Sequence, residues 1–343
     1  MSDELSIGVE GRAGRITLTR PEALNALTYD MSLAIEVAID QWRDDDGVEL
    51  VVIDGEGEKA FCAGGDIQKL YATGAAGDYA YGQTFWHDEY KLNAKIANYP
   101  KPYVSLMDGI VMGGGVGVSA HGSHRVVTDR AMVAMPEVSI GFLPDVGGTY
   151  ILSRAPGHVG EYLGMTANRM NAADAIYAGF ADAYVPADHI DSLIAALCGG
   201  GIATLEQFTS APPAGKLAAQ QADIDAVFSL GDISAVLAAL EGSGSEWAQQ
   251  TLKALRRNAP LSVVCALNAV RTARGYETIE DCLALEYRFV YRSMEQADFL
   301  EGIRAAIIDK DRNPQWRVAT LEEVTAAQAD ALLASLGDAE WTF

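Results

Sequence analysis

Short apolar or alternating segments dominate the first two hundred residues, and segments of helical periodicity separate them. Residues 14–19 alternate apolar and polar positions, as a half-buried strand does, and residues 50–54 form a continuous apolar strand. Between these strands, apolar positions from Met31 to Trp42 recur at helical spacing behind Thr28, a favourable helix N-cap. This strand–helix–strand order predicts that the two strands pair in parallel through a right-handed crossover.

Beyond residue 199 the pattern changes to loops rich in Gly, Ser and Pro, which separate Ala-rich helical segments. The same periodicities predict strands over 103–107, 125–128 and 132–135, and helices over 79–99, 168–181, 261–273, 279–291 and 298–311. We therefore predict an α/β fold with a core over residues 1–200 and a mainly helical C-terminal region over residues 201–343.

Composition excludes several classes of function. The 343 residues carry a formal net charge of −22, which disfavours a nucleic-acid or anionic-membrane partner. No apolar run reaches membrane-spanning length, and the first residues lack the basic segment of a signal peptide. The four cysteines and five histidines show no metal-site or disulfide spacing. We expect a cytoplasmic protein without a metal or redox cofactor.

The candidate chemistry lies in a glycine-rich stretch and two carboxylates that follow it. Residues 112–117 are mostly glycine and stand between an apolar strand and a segment of small residues typical of a helix start. Such a turn lets backbone N–H groups approach a ligand closely. Glu137 and Asp145 each lie beside a proline in apolar sequence, where burial raises the pKa of a carboxyl group. The stretch predicts an oxyanion site served by one or two acid–base carboxylates.

Three ordered motifs resemble the crotonase, or enoyl-CoA hydratase/isomerase, superfamily. They occupy residues 60–66, 108–115 and 135–137, and Asn-Ala-Leu at 25–27 adds to the match. The resemblance implies a spiral of β-β-α units with a helical C-terminal part, an acyl-CoA substrate and a homo-oligomer. It also implies that two backbone N–H groups polarise the thioester carbonyl, and by motif we assign these to Ala63 and Gly114.

Within the superfamily, the chain is similar to the 3-hydroxyisobutyryl-CoA hydrolases. Hydratases carry a second glutamate where this chain has Gly117, whereas the sequence around Glu137 and Asp145, Glu89 in the 79–99 helix, and the tail over 298–316 match the hydrolases. The resemblance implies hydrolysis of a short 3-hydroxyacyl-CoA, as in valine catabolism. It places Glu89, Gly114, Glu137 and Asp145 around the acyl group.

The roles of the two carboxylates stay open at this point. Glu137 acts either as general base on water or as a nucleophile that forms a mixed anhydride. For Asp145 there are three alternatives: it binds the substrate hydroxyl, it transfers protons, or it caps the helix that follows it. CoA enters as part of the substrate, and Lys59, Lys310 and Arg312 are candidates for binding its phosphates.

Three other functions compete with hydrolysis. One is hydration or isomerisation of an enoyl-CoA, and another is acyl-CoA binding without turnover, from which a turnover assay would distinguish an enzyme. Residues 115–120 also fit a loose G-x-G-x-x-A dinucleotide motif after a strand. The three crotonase motifs explain the same glycines, so we favour the thioester reading.

Overall fold

The computed structural model describes residues 4–343, whose contacts divide into two units. Unit 1 comprises residues up to 66, 88–134 and 169–216, and unit 2 comprises residues 67–87, 135–168 and 217–343. Each unit is discontinuous along the chain, which differs from the single boundary predicted near residue 200.

Unit 1 is built on two β-sheets. The six-stranded sheet has the order β1 (Leu5–Glu10), β2 (Ala13–Leu18), β3 (Leu50–Gly55), β5 (Tyr103–Met107), β7 (His124–Val127), β9 (Ala183–Tyr184). The second sheet has the order β4 (Ala60–Cys62), β6 (Ile110–Met112), β8 (Met132–Ala134). Among the named strands of residues 4–343, β1 and β2 pair antiparallel and all other pairs are parallel, so the predicted parallel pairing of β2 with β3 is confirmed.

Helices cover the strands of unit 1. They are α1 (Tyr29–Arg43), the residues of α3 (Ala80–Ala97) from Asp88 onward, α4 (Gly114–Ser119), α7 (Ala172–Tyr177) and α8 (Ile190–Gly200), with short 3₁₀ turns at Pro21–Ala23, Ala187–His189 and Ile202–Gln207. Thr28 caps α1 as predicted, because its hydroxyl accepts a hydrogen bond from the Met31 N–H. Leu193 and Leu197 of α8 pack with strand residues such as Val104 in a fully buried core.

Unit 2 is helical. Its helices are α2 (Ile67–Ala75), the first part of α3, α5 (Gly148–Arg154), α6 (Val159–Thr166), α9 (Leu217–Phe228), α10 (Ile233–Ser243), α11 (Glu246–Arg257), α12 (Pro260–Ala273), α13 (Ile279–Gln296), α14 (Phe299–Ile303) and α15 (Ala326–Leu333). Short 3₁₀ turns occur at Glu137–Ile140, Leu321–Glu323 and Gly337–Ala339. The almost fully buried α12 packs against α5, α6 and α15 and forms the centre of this unit.

The predicted helix over 298–311 is shorter and less regular than expected. α14 ends at Ile303 and a π-helical turn follows over Arg304–Ile308. The Arg304 guanidinium binds the carboxylates of Glu301, Asp309 and Asp311, and these contacts draw the following chain back over the last turn.

None of the helices in residues 4–343 combines the length and apolar character needed to cross a membrane.

Candidate active site

The glycine turn of unit 1 places the N–H of Gly114 at the first position of a helix. Strand β6 ends at Met112, and Gly113 then adopts φ 48° and ψ −122° as the N-cap of α4. A residue with a side chain rarely adopts a positive φ of this kind, which explains the glycine. The carbonyl of Gly113 accepts hydrogen bonds from the third and fourth N–H groups, those of Val116 and Gly117. The N–H of Gly114, at the first helical position, lies ahead of this hydrogen-bonded ladder.

The loop that follows β4 contradicts the prediction that the Ala63 N–H is available to a substrate. The Ala63 N–H donates to the carbonyl of Leu24 at 3.0 Å, so it is already satisfied within the protein. Leu27 then bridges the loop in parallel, because its N–H donates to Gly64 and its carbonyl accepts from Asp66, both at 2.8 Å. In such a bridge, the residue between those two partners directs its own N–H to the opposite side. That residue is Gly65.

Gly65, Gly114 and Glu89 are neighbours in unit 1. The Gly65 nitrogen lies 3.3 Å from the point that a Cβ on Gly114 would occupy, and Oε1 of Glu89 lies 2.9 Å from that same point. Glu89 projects from α3 and is 3% exposed. The structure therefore brings the backbone of Gly65 and Gly114 and one buried carboxylate together, and Gly65 rather than Ala63 is the candidate for the second N–H donor.

Two further residues of the matched motifs have structural roles. The buried Asn25 side chain donates to the carbonyls of Glu56 and Ala60 and accepts from the Arg20 N–H. It thereby ties the turn before Leu27 to strand β4. Cys62 has a thiol whose pKa burial raises to about 12, so it is not a nucleophile at neutral pH.

Glu137 lies in unit 2 and is a buried carboxyl group. It begins the 3₁₀ turn Glu137–Ile140, is 5% exposed, and its Oε2 has no hydrogen-bond partner among residues 4–343. Burial raises the pKa of Glu137 well above its ordinary value, and the negative charges of Asp145 and Glu286 raise it further. A carboxyl group in this state is suited to proton transfer near neutral pH.

Asp145 is buried in the same unit but does not cap a helix. α5 begins at Gly148 and its N-cap is Gly147, two residues beyond Asp145. The predicted N-cap role of Asp145 is therefore wrong. The N–H of Gly148, the first residue of α5, donates to the main-chain carbonyl of Asp145 at 2.7 Å, so the backbone rather than a side chain satisfies it.

Glu286 takes the capping role, and sequence reasoning missed it. Its carboxylate, projecting from α13, accepts hydrogen bonds from the N–H groups of Gly147 and Thr149 at 2.8 Å and from the Thr149 hydroxyl. Burial raises the pKa of Glu286 to about 8. The sequence did carry a signal, because Glu286 lies three or four residues from the apolar Leu283, Phe289 and Val290, on a helix face where a charged residue is rarely found.

The cavity of about 770 Å³ in unit 1 contains none of these residues. It is rich in acidic side chains, and its two arginines are already paired, Arg15 with Asp54 and Arg130 with Asp108. It therefore offers no unpaired cation for a CoA phosphate. The assignment of the phosphates to Lys59, Lys310 and Arg312 stays a prediction. Residues 4–343 contain no cluster of three or more acidic, histidine or cysteine side chains arranged to hold a metal ion.

Comparison with known proteins places the chain among relatives of nearly its own length. The sequence profile described as enoyl-CoA hydratase/isomerase matches residues 13–333. The chain is 40% identical to the mitochondrial 3-hydroxyisobutyryl-CoA hydrolase of Xenopus tropicalis, over 96% of this chain and 88% of that protein. It is 38% identical to the probable 3-hydroxyisobutyryl-CoA hydrolase 3 of Arabidopsis thaliana, over 92% of this chain and 87% of that protein.

Solved structures agree on the fold. An enoyl-CoA hydratase from Rhodobacter sphaeroides 2.4.1 is 50% identical with a TM-score of 0.96, covering 99% of this chain and 100% of that one. A carnitinyl-CoA dehydratase from Mycobacterium thermoresistibile is 45% identical with the same TM-score, covering 100% of this chain and 99% of that one. The crotonase-like fold predicted from the motifs is confirmed, and the chain belongs to the enoyl-CoA hydratase/isomerase family.

Proposed function

We propose that this protein hydrolyses the thioester of a short 3-hydroxyacyl-CoA, of the 3-hydroxyisobutyryl-CoA type, to the free acid and CoA. The observation that carries the proposal is the likeness, over 96% of the chain, to a relative named for that reaction. The chain also retains both carboxylates, Glu137 and Asp145, that the resemblance assigns to the acyl group.

Hydration of an enoyl-CoA is the competing function, because the solved relative at 50% identity is named an enoyl-CoA hydratase. Addition of water to a double bond uses a base for the water and an acid for the carbon. The hydratases supply the second group from a glutamate at the position of Gly117, which lies buried in α4 and has no side chain to transfer a proton. This difference favours hydrolysis.

In the proposed reaction, the water oxygen bonds to the thioester carbon and the carbonyl oxygen becomes an oxyanion. Gly65 and Gly114 donate their N–H groups to that oxygen, and such donors act through fixed dipoles that need no reorganisation. The tetrahedral species then collapses as the carbon–sulfur bond breaks, and the CoA thiolate leaves and takes up a proton.

Glu137 serves this reaction in one of two ways. As a general base it accepts the proton of the attacking water, and as a nucleophile it forms an anhydride that water cleaves in a second step. Two measurements distinguish them: label from ¹⁸O-labelled water enters the Glu137 carboxylate only if water cleaves an anhydride at its glutamyl carbon, and hydroxylamine traps an anhydride cleaved at either carbon.

The deciding experiment is a thiol-release assay across acyl-CoAs. We expect free CoA to appear from 3-hydroxyisobutyryl-CoA and 3-hydroxypropionyl-CoA, whereas crotonyl-CoA should lose its conjugated absorbance slowly or not at all. Efficient hydration of crotonyl-CoA without thiol release would replace the proposal with the hydratase function. Tight acyl-CoA binding with neither reaction would indicate a binding protein.

Asp145→Asn is expected to lower turnover more for 3-hydroxyacyl substrates than for isobutyryl-CoA, which lacks the hydroxyl group. The reason is that asparagine keeps the volume of the side chain but loses the negative charge that accepts strongly from a hydroxyl. The ratio of kcat/KM for the two substrates measures this difference. Equal losses on both substrates would contradict a role of Asp145 in binding the hydroxyl.

A further inference from the structure

The backbone that carries Asp145 turns sharply directly after it. Val146 has φ 53° and Gly147 has φ 78°, so two consecutive residues lie in the left-handed region. Glycine adopts this region readily, whereas a β-branched residue is strained there. Val146 is 1% exposed, so packing holds its side chain in place. Such a turn persists only when surrounding contacts determine its conformation.

Glu286 provides contacts of this kind from a distant part of the chain. Its Oε2 accepts from the Gly147 N–H at 2.8 Å, and its Oε1 accepts from the Thr149 N–H at 2.8 Å and from the Thr149 hydroxyl at 2.5 Å. Both oxygens of one carboxylate are therefore used on the first turn of α5. A single hydroxyl or amide cap offers only one acceptor oxygen and could not hold both N–H groups in this way.

Burial of the Glu286 carboxyl group is energetically unfavourable in itself. Glu286 has no exposed surface, and a buried carboxyl group is unfavourable unless hydrogen bonds compensate it. Burial raises its pKa to about 8, and the negative charge of Asp145 raises it further. Only a carboxylate supplies an acceptor oxygen to each of the Gly147 and Thr149 N–H groups, whereas a glutamine would turn its NH₂ group toward one of them, so the two-point contact with the turn accounts for the acid.

We infer that Glu286 is a positioning residue that sets the orientation of Asp145 by clamping the turn over residues 146–149. This inference rests on the proposed function, in which Asp145 contacts the substrate hydroxyl. The clamp fixes the peptide groups on the C-terminal side of Asp145, and the Asp145 carbonyl is itself held by the Gly148 N–H within the same turn.

The first test compares Glu286→Gln with the wild-type protein. Glutamine has one acceptor oxygen and an NH₂ group, so one of the two clamped N–H groups faces a donor. We expect kcat/KM for 3-hydroxyisobutyryl-CoA to fall about tenfold or more and that for isobutyryl-CoA to fall less, as for Asp145→Asn. The matched control is Glu295→Gln, a substitution of the same kind at an exposed position of α13, which should leave both values unchanged.

The double variant Asp145→Asn/Glu286→Gln then tests whether Glu286 acts through Asp145. If it does, kcat/KM of the double variant should be little lower than that of Asp145→Asn alone, because the contribution of the Asp145 carboxylate is already absent in the single variant. Equal losses on both substrates, or losses that multiply in the double variant, would overturn the inference and leave Glu286 as a structural cap.

Hydrogen exchange tests the clamp without any activity. The Gly147 and Thr149 amides of the wild-type protein should be protected, although N–H groups in the first turn of a helix normally exchange quickly. Rapid exchange at both amides would overturn the clamp even if no variant folds. A wild-type protein with protected amides that releases no CoA would refute the proposed function and leave the clamp standing, so the two failures are distinguishable.

Discussion

Glu137→Gln should abolish most thioester hydrolysis and leave acyl-CoA binding intact. Glutamine keeps the volume and shape of the buried side chain, but it can neither accept a proton from water nor attack a thioester. Loss of a general base costs on the order of 10²–10⁴ in rate, and loss of an obligate nucleophile costs more. Single-turnover thiol release gives the rate, and isothermal titration with the acyl-CoA gives the affinity.

The pH dependence provides an internal check of this assignment. Burial and the charges of Asp145 and Glu286 raise the pKa of Glu137, so the ionised form that the reaction needs appears only at higher pH. Turnover should therefore rise with pH, with an inflection above the ordinary range of a carboxyl group, and should be lost below it. The variant Glu137→Gln should show no such inflection. Glu295→Gln, at an exposed position, is the control and should keep wild-type turnover. Wild-type turnover in Glu137→Gln would show that Glu137 takes no part in the reaction.

Gly114→Val is expected to lower thiol release about 10²-fold or more, because the side chain would keep the substrate oxygen from the Gly114 N–H, and loss of one oxyanion donor typically costs 10²–10³ in rate. A Cβ at this position would lie 2.9 Å from Oε1 of Glu89 and 3.3 Å from the Gly65 nitrogen. Valine therefore occupies the space that the carbonyl oxygen of the substrate should take, and it displaces a buried carboxylate. Kinetics on 3-hydroxyisobutyryl-CoA measure the loss.

The matched control is Gly199→Val, because a Cβ on Gly199 meets no atom within 4 Å. Gly114→Ala should be milder than valine, since the single methyl group can be accommodated by a shift of the Glu89 side chain. If Gly114→Val kept full activity, the backbone approach at Gly114 would not be part of the reaction. Equal melting temperatures of the Gly114 and Gly199 variants would exclude unfolding as the cause of a loss.

The amino-acid sequence by itself determined the local elements of this protein. The alternating and apolar segments predicted β2, β3 and β5, and Thr28 marked the start of α1, because side-chain periodicity and capping are properties of neighbouring residues. The glycines at 113–115 and the acid at 137 marked the candidate site for the same reason. Their residue types restrict the local backbone and the local chemistry.

Only the tertiary structure decided which groups in those motifs are available. Ala63, Gly64 and Gly65 are consecutive, and their N–H groups are equivalent in sequence. When this loop pairs with residues 24–27, the Ala63 N–H donates to the Leu24 carbonyl, whereas the Gly65 N–H points to the side opposite Leu27. Likewise, Asp145 resembles an N-cap locally, but the cap comes from Glu286, which lies 137 residues from Thr149 along the chain. Contacts between residues so far apart leave no periodic pattern in the sequence, so they appear only once the chain has folded.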